Sequence, residues 1–268
     1  MKSESHAREY LADLAAGGRY AFSLPGAQSA MGGSPAATKL ALNRLAKQKQ
    51  LASPARGFYV IVPPEYRSLG CLPADQFIPA LMKHLNLPYY AGLLSAAQYH
   101  GAADQRPQMF HVFLSKARRP IRCGAARVTF VVRRRLKEVP VQSFNTPRGT
   151  IQVSTPEATA LDLVGYADHV GGLSHVGTVL SELAERIDPV KLAGAAETAP
   201  IPWAQRLGYL LDHFGFEAKT KPLKEYVRRH AKQSTALLPK APHKRARNKS
   251  WKLYVNARVE GRSVIPRD

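Results

Sequence analysis

Acidic side chains are scarce in this chain. Asp and Glu number 19 against 39 Lys and Arg, a formal net charge of +20 over 268 residues. Such an excess attracts polyanions, nucleic acid first and an anionic membrane surface second. Cysteine is nearly absent as well. Cys71 and Cys123 form no CxxC and pair with no spaced histidine, so no zinc site is expected. Reduced thiols in a cytoplasmic protein are the simplest reading. Long apolar runs are missing: Ala91–Ala97 falls far short of the roughly 18 residues of a spanning helix. The stretch Met1–Gly18 carries Glu4, Glu9 and Asp13, which argues against a secretory leader. No membrane partner is expected.

Catalytic signatures are lacking too. The nine histidines are scattered, without HExxH or a paired carboxylate–histidine spacing. Glu157 and Asp162 lie five apart across a helix start and share no obvious metal face. Gly32-Gly33 is not followed by the Lys-Ser or Lys-Thr of a phosphate-binding loop. The expectation is a protein that is not an enzyme and holds no metal or cofactor.

What is present is an ordinary globular composition, 45% hydrophobic and 22% charged, at a length that suits two domains. In the first segment Ala7, Leu11, Leu14 and Ala15 fall on one helical face, ended by Gly17-Gly18. Tyr20–Ser23 suits a small strand, and Pro25–Met31 a short helix. Ser34-Pro35 then opens a clear helix, Ser as N-cap and Pro at the first helical position, running to about Gln48. Leu51–Ser53 and Phe58–Val62 flank Pro54-Ala55-Arg56-Gly57 as a hairpin. Helix, short helix, helix and hairpin is the order of a winged helix-turn-helix, expected at residues 1–66.

Such a module reads a major groove with polar side chains near the start of its recognition helix. The candidate DNA contacts are Ser34, Thr38, Lys39, Asn43, Arg44 and Lys47, with Arg56 at the wing tip. Winged helices also serve as protein-interaction modules, so the alternative stays open at this point.

Residues 67–268 read as a larger mixed α/β domain, making the whole chain α+β. Helices are expected at Asp75–Leu85 and Tyr90–His100, then strands at Met109–Leu114, Arg127–Val132, Val139–Phe144 and Thr150–Val153. Helices return at Ala158–Ala167, Val176–Ile187, Pro189–Ala196 and Trp203–Phe214. The tail, about 219–268, holds 15 basic and 3 acidic residues; a helix is expected at Leu223–Lys232 and a strand at Ser250–Val259. A polyanion or partner surface is expected from two groups. One is Arg118, Arg119, Arg133 and Arg135, with Arg133 and Arg135 on one strand face and Arg134 opposite. The other is Lys221, Lys224, Arg228, Arg229, Lys244, Arg245 and Arg247, among which Tyr226, Trp251 and Tyr254 suit base stacking.

Several segments together resemble a known family: Tyr20–Ser23, Ala41–Leu45, Arg56–Pro63, Pro88–Ala97, His100-Gly101, Thr155–Leu163 and Gln205–Leu211. In order and spacing they resemble the AbiEi antitoxins of bacterial abortive-infection (type IV) toxin–antitoxin systems, over residues 1 to about 215. The resemblance implies an N-terminal winged helix that binds inverted repeats in its own promoter and represses it. It implies a C-terminal domain needed for antitoxicity, and a nucleotidyltransferase-like toxin neutralised without a stable complex. By position, Ser34–Gln48 corresponds to the recognition helix and Leu51–Val62 to the wing. The protein would bind promoter DNA as a monomer or a DNA-induced dimer. Competing readings are a stand-alone winged-helix regulator with a ligand-sensing or oligomerising C-terminal domain, and a phage-defence nuclease.

Overall fold

The computed structural model describes residues 2–102, 108–241 and 246–259, with the side chains of residues 2 and 3 left aside. The chain begins with α1 (Lys2–Ala16), β1 (Ala21–Ser23), α2 (Leu24–Met31), α3 (Pro35–Lys47), β2 (Leu51–Ala55) and β3 (Phe58–Ile61). Local sequence explains the joints. Ser23 and Ser34 each cap a helix, their hydroxyl oxygens accepting from the Gly26 and Ala37 amides at 3.2 Å. A proline follows in the first turn of each helix, where its missing N–H costs nothing. Between them Gly32 and Gly33 both adopt positive φ, 65° and 83°, a turn that a side chain would strain. The three strands pair antiparallel in the order β1-β3-β2.

The next elements are α4 (Ala74–Leu85), β4 (Tyr90–Ala91), α5 (Leu93–Tyr99), β5 (Phe110–Leu114), β6 (Ile121–Cys123), β7 (Ala126–Val132), β8 (Val141–Thr146) and β9 (Gly149–Ser154). Five helices follow: α6 (Pro156–Gly165), α7 (Leu173–Leu183), α8 (Pro189–Ala196), α9 (Ile201–His213) and α10 (Glu217–His230). Three two-residue strands close the described chain: β10 (Thr235–Ala236), β11 (Arg247–Asn248) and β12 (Leu253–Tyr254). The mixed α+β class agrees with expectation. Several boundaries differ: the helix expected at Val176–Ile187 is Leu173–Leu183, and the strand expected at Val139–Phe144 is Val141–Thr146. The helix expected from Tyr90 starts at Leu93, because Ala91 pairs parallel with Val153 and Gly92 is extended. The tail helix starts at Glu217 and carries Pro222 inside it, held by buried Thr220, Leu223 and Val227. The tail strand expected over Ser250–Val259 shrinks to Leu253–Tyr254.

The chain divides into two units. Unit 1 is residues 1–90, 108–133 and 143–152; unit 2 is residues 91–107, 134–142 and 153–268. In unit 1, β5 and β7 run parallel from Phe110↔Val128 to Leu114↔Val132, and β6 pairs antiparallel with β7. Its core forms two clusters on either side of β3. Phe58 and Val60 join Phe77, Ile78, Leu81, Val112, Leu114 and Val128. Tyr59 and Ile61 join Leu11, Leu14, Phe22, Leu42 and Leu45. Alternate side chains of a strand leave opposite faces, so all four β3 residues are buried. The first cluster therefore runs past position 66, the boundary expected from sequence, and unit 1 is larger than residues 1–66.

In unit 2, α6 is buried from Glu157 through Val164 and packs against α5, α7, α8 and α9. Helix α10 lies on α8 and α9, and β12 sits between β10 and β11. No helix is long and apolar enough to cross a membrane among the described residues.

Candidate nucleic-acid interface and the C-terminal domain

Helix α3 sorts its side chains by face. Thr38, Ala41, Leu42 and Leu45 are buried, while Lys39, Leu40, Asn43, Arg44 and Lys47 are exposed along the opposite stripe. Thr38 is 1% exposed and shares the apolar face, so it is removed from the candidate DNA contacts. Ser34 is exposed, with its hydroxyl engaged as the N-cap. Arg44 stands 4.0 Å from the Glu4 carboxylate of α1 and keeps 53% of its side chain exposed. Glu4 also accepts from Gln48 at 3.2 Å and Arg8 at 3.1 Å. The Gln48 hydrogen bond, then Arg8, holds the Glu4 carboxyl below its ordinary range. Arg56 is exposed in the turn between β2 and β3.

The second basic group is less uniform than its sequence. Arg118 lies over the Phe130 ring, 5.8 Å from its centroid, and Arg119 is exposed. Strand β7 ends at Val132, so the alternation expected through Arg133, Arg134 and Arg135 does not apply. Arg133 is 5% exposed, its amide donating to the Leu114 carbonyl at 2.8 Å, and is removed from the candidate surface. Arg135 pairs with Glu138 and donates to the Glu197 carbonyl at 2.7 Å. The Glu138 hydrogen bond raises the Arg135 pKa.

Three of the tail's cations are ion-paired within the tail and the helix before it. Arg228 and Arg229 both bind Glu225, each at 2.7 Å, and pull its carboxyl below the ordinary range. Lys224 pairs with Asp212 at 2.9 Å and lies 5.1 Å from the Trp251 ring centroid. Arg247 donates to Ser234 at 3.0 Å, and Lys221 is exposed. Lys244 and Arg245 lie outside the described residues. Trp251 is 1% exposed, so base stacking is excluded for it. Tyr226 stacks on His230 at 4.4 Å, and Tyr254 is half-buried.

What holds the tail is α9. Gln205 donates to the carbonyls of Gln233, Trp251 and Lys252 at 3.1, 3.2 and 2.9 Å. Arg206 donates to the Ala236 carbonyl at 2.9 Å and to Thr235 at 3.3 Å. Asp212 accepts from the Trp251 indole at 2.8 Å and from Thr220 at 2.5 Å. The run Gln205–Leu211 is visible in the sequence as a motif. Its role is not, because its partners lie in the tail.

A second polar constellation fastens α5 and α6. His100 Nε2 meets the Ser154 carbonyl at 2.8 Å, and Ser154 and Thr159 hydroxyls share a 2.7 Å hydrogen bond. Thr155 caps α6, and Glu157 accepts from the Asp188 amide at 2.9 Å. Asp188 in turn caps α8 through the Val190 and Lys191 amides, both at 2.9 Å. Burial pushes the His100 pKa down, the Ser154 carbonyl and Glu157 push it up, and Arg186 pushes it down. These groups join backbone segments to one another. Among the described residues no group of three or more His, Cys, Asp and Glu has the makings of a metal site.

Residues 90–213, from β4 through α9, match the family model described as the AbiEi antitoxin C-terminal domain. No curated protein sequence matches the chain. Among solved structures, the crystal structure of the RV2827C protein from Mycobacterium tuberculosis is similar, with a TM-score of 0.64 and 17% identity. The likeness covers 93% of this chain and 90% of that one, and speaks for the fold alone. The family match takes in Thr155–Leu163, where the α6 constellation starts, and Gln205–Leu211, which grips the tail. Residues 90–213 are thus an AbiEi antitoxin C-terminal domain.

Proposed function

We propose that this antitoxin represses its own operon through a winged helix-turn-helix at residues 1–66 and counteracts a nucleotidyltransferase-like toxin through residues 67–268. The family domain supports an antitoxin of a toxin–antitoxin system. The DNA half of the reading rests on one observation above all: Lys39, Asn43, Arg44 and Lys47 form an exposed stripe on α3. An exposed helix face of this kind fits a major groove, with Asn suited to adenine and Lys or Arg to guanine or phosphate. Arg56, in the exposed β2–β3 turn, supports a wing contact to phosphate or the minor groove. Exposed Arg119 and Lys221 add phosphate-neutralising charge. The protein works in the cytoplasm, as a monomer or as a dimer formed on inverted repeats.

Two experiments test the halves separately. Gel-shift titration of the full chain against duplex from upstream of its own coding sequence should give specific binding that an unrelated duplex does not compete away. Equal affinity for both duplexes sinks the repressor reading. Co-expression with the adjacent nucleotidyltransferase gene should restore growth; continued arrest sinks the antitoxin pairing.

A further inference from the structure

Cys71 and Cys123 are separated in sequence but meet in unit 1. The segments that carry them are in backbone contact: the Ala125 amide donates to the Leu69 carbonyl at 2.7 Å. A Cβ on Gly124 would stand 2.1 Å from the Leu69 carbonyl oxygen and 2.8 Å from the Cys71 nitrogen, so only glycine permits the approach. The two thiols lie within each other's influence: Cys123 is the first cause that raises the Cys71 pKa, and Cys71 the first that lowers that of Cys123. Cys71 is buried, 2% exposed, whereas Cys123 is half-buried. The Cys123 sulfur also accepts the main-chain N–H of Ser53, in β2. Strand β2 is an outer strand of the order β1-β3-β2.

We propose that Cys71 and Cys123 are a peroxide-reactive thiol pair, with Cys123 the attacking sulfur and Cys71 the resolving one. The neighbouring Cys71 thiol and the Ser53 amide favour the thiolate at Cys123 and push its pKa down; the proximity of Cys123 pushes that of Cys71 up. The Cys123 thiolate attacks one oxygen of hydrogen peroxide, the O–O bond breaks, and hydroxide leaves to take a proton and become water. The Cys71 sulfur then attacks the Cys123 sulfenic acid, an S–S bond forms and a second water departs. Two thiols and one peroxide become one disulfide and two waters. Bonding draws the sulfurs to about 2.05 Å and removes the charge that accepts the Ser53 amide. Oxidation is therefore felt in β2. The site stands whether or not unit 1 binds DNA.

The full chain is treated with hydrogen peroxide, blocked with a maleimide and mapped by mass spectrometry. The expected product is a Cys71–Cys123 linked peptide, with intact mass lower by two hydrogens and reversal by a dithiol reductant. Cys71→Ser should stop at a dimedone-reactive sulfenic acid on Cys123. Full maleimide labelling of both cysteines after peroxide overturns the proposal, as does sulfenic acid forming at an unchanged rate on Cys71 in Cys123→Ser. Amide exchange gives a readout without any variant. The Ser53 amide should exchange about tenfold faster after oxidation, the loss of one hydrogen bond. Unchanged exchange overturns the link to β2.

Discussion

Gly208 lies directly beneath Trp251: a Cβ on Gly208 would stand 2.1 Å from two atoms of the indole ring. The ring is a large, fully buried side chain, and its N–H reaches Asp212 one helical turn further along α9. Gly208→Ala must push the ring off α9 or shift the backbone, a cost of about 1–3 kcal/mol for overpacking. Thermal unfolding should show the destabilisation, and tryptophan fluorescence should shift toward that of exposed indole. An unchanged melting curve would mean the tail docks in some other way.

The α3 stripe gives a second expectation. Lys39→Ala with Asn43→Ala should weaken promoter binding by roughly 1–3 kcal/mol for each side chain that bonds a base edge, with no change in melting temperature because both side chains are exposed. Gel-shift and melting measured together separate recognition from folding. Undiminished affinity would take α3 out of the interface.

Charge outside α3 is best tested by neutralisation rather than truncation, since removing the tail would strip Trp251 from α9. Arg119→Gln and Lys221→Gln change exposed cations without disturbing a buried group. If each meets a phosphate, the slope of log affinity against log salt falls by about 0.9 per neutralised phosphate. An unaltered slope would show that these side chains face away from the duplex.

His100 sets a pH dependence. Burial lowers its pKa below the ordinary 6.5 in the folded state, with Glu157 and Arg186 acting in opposite directions. The unfolded chain therefore binds the proton more readily, and stability rises with pH across the interval between the two values. The contribution is complete above about pH 6.5 and is lost as pH falls through the lower, folded value. His100→Gln keeps a donor for the Ser154 carbonyl and cannot titrate. Denaturant unfolding between pH 5 and 7, at about one-unit steps, should be flatter for the variant than for the wild type. Parallel profiles would assign the acid sensitivity to other groups.

Local chemistry was legible where it acts over a few residues. Ser34-Pro35 announces the start of α3, and Phe58–Val62 announces a strand. The run of five apolar residues was also the mark of a strand covered on both faces, but its second covering layer comes from Phe77, Val112 and Val128, remote in sequence. Arg133 escapes the alternation of its neighbours because the strand stops at Val132. Trp251 misled because aromatics among lysines suit base stacking, and only the glycine at 208 creates the space that buries it. Pro222 hid the first turns of α10, since proline inside a helix ordinarily argues for a break. The two cysteines read as unrelated because their approach depends on glycine at 124, far from Cys71 in the chain.

Strand β3 serves as a shared wall: Tyr59 and Ile61 close the cluster that seats α3, and Phe58 and Val60 close the cluster over β5 and β7. Neither cluster can loosen without exposing the far side of the same four residues. Unit 1 should therefore melt in a single step, so that a cavity made by Val128→Ala lowers the temperature at which α3 unravels.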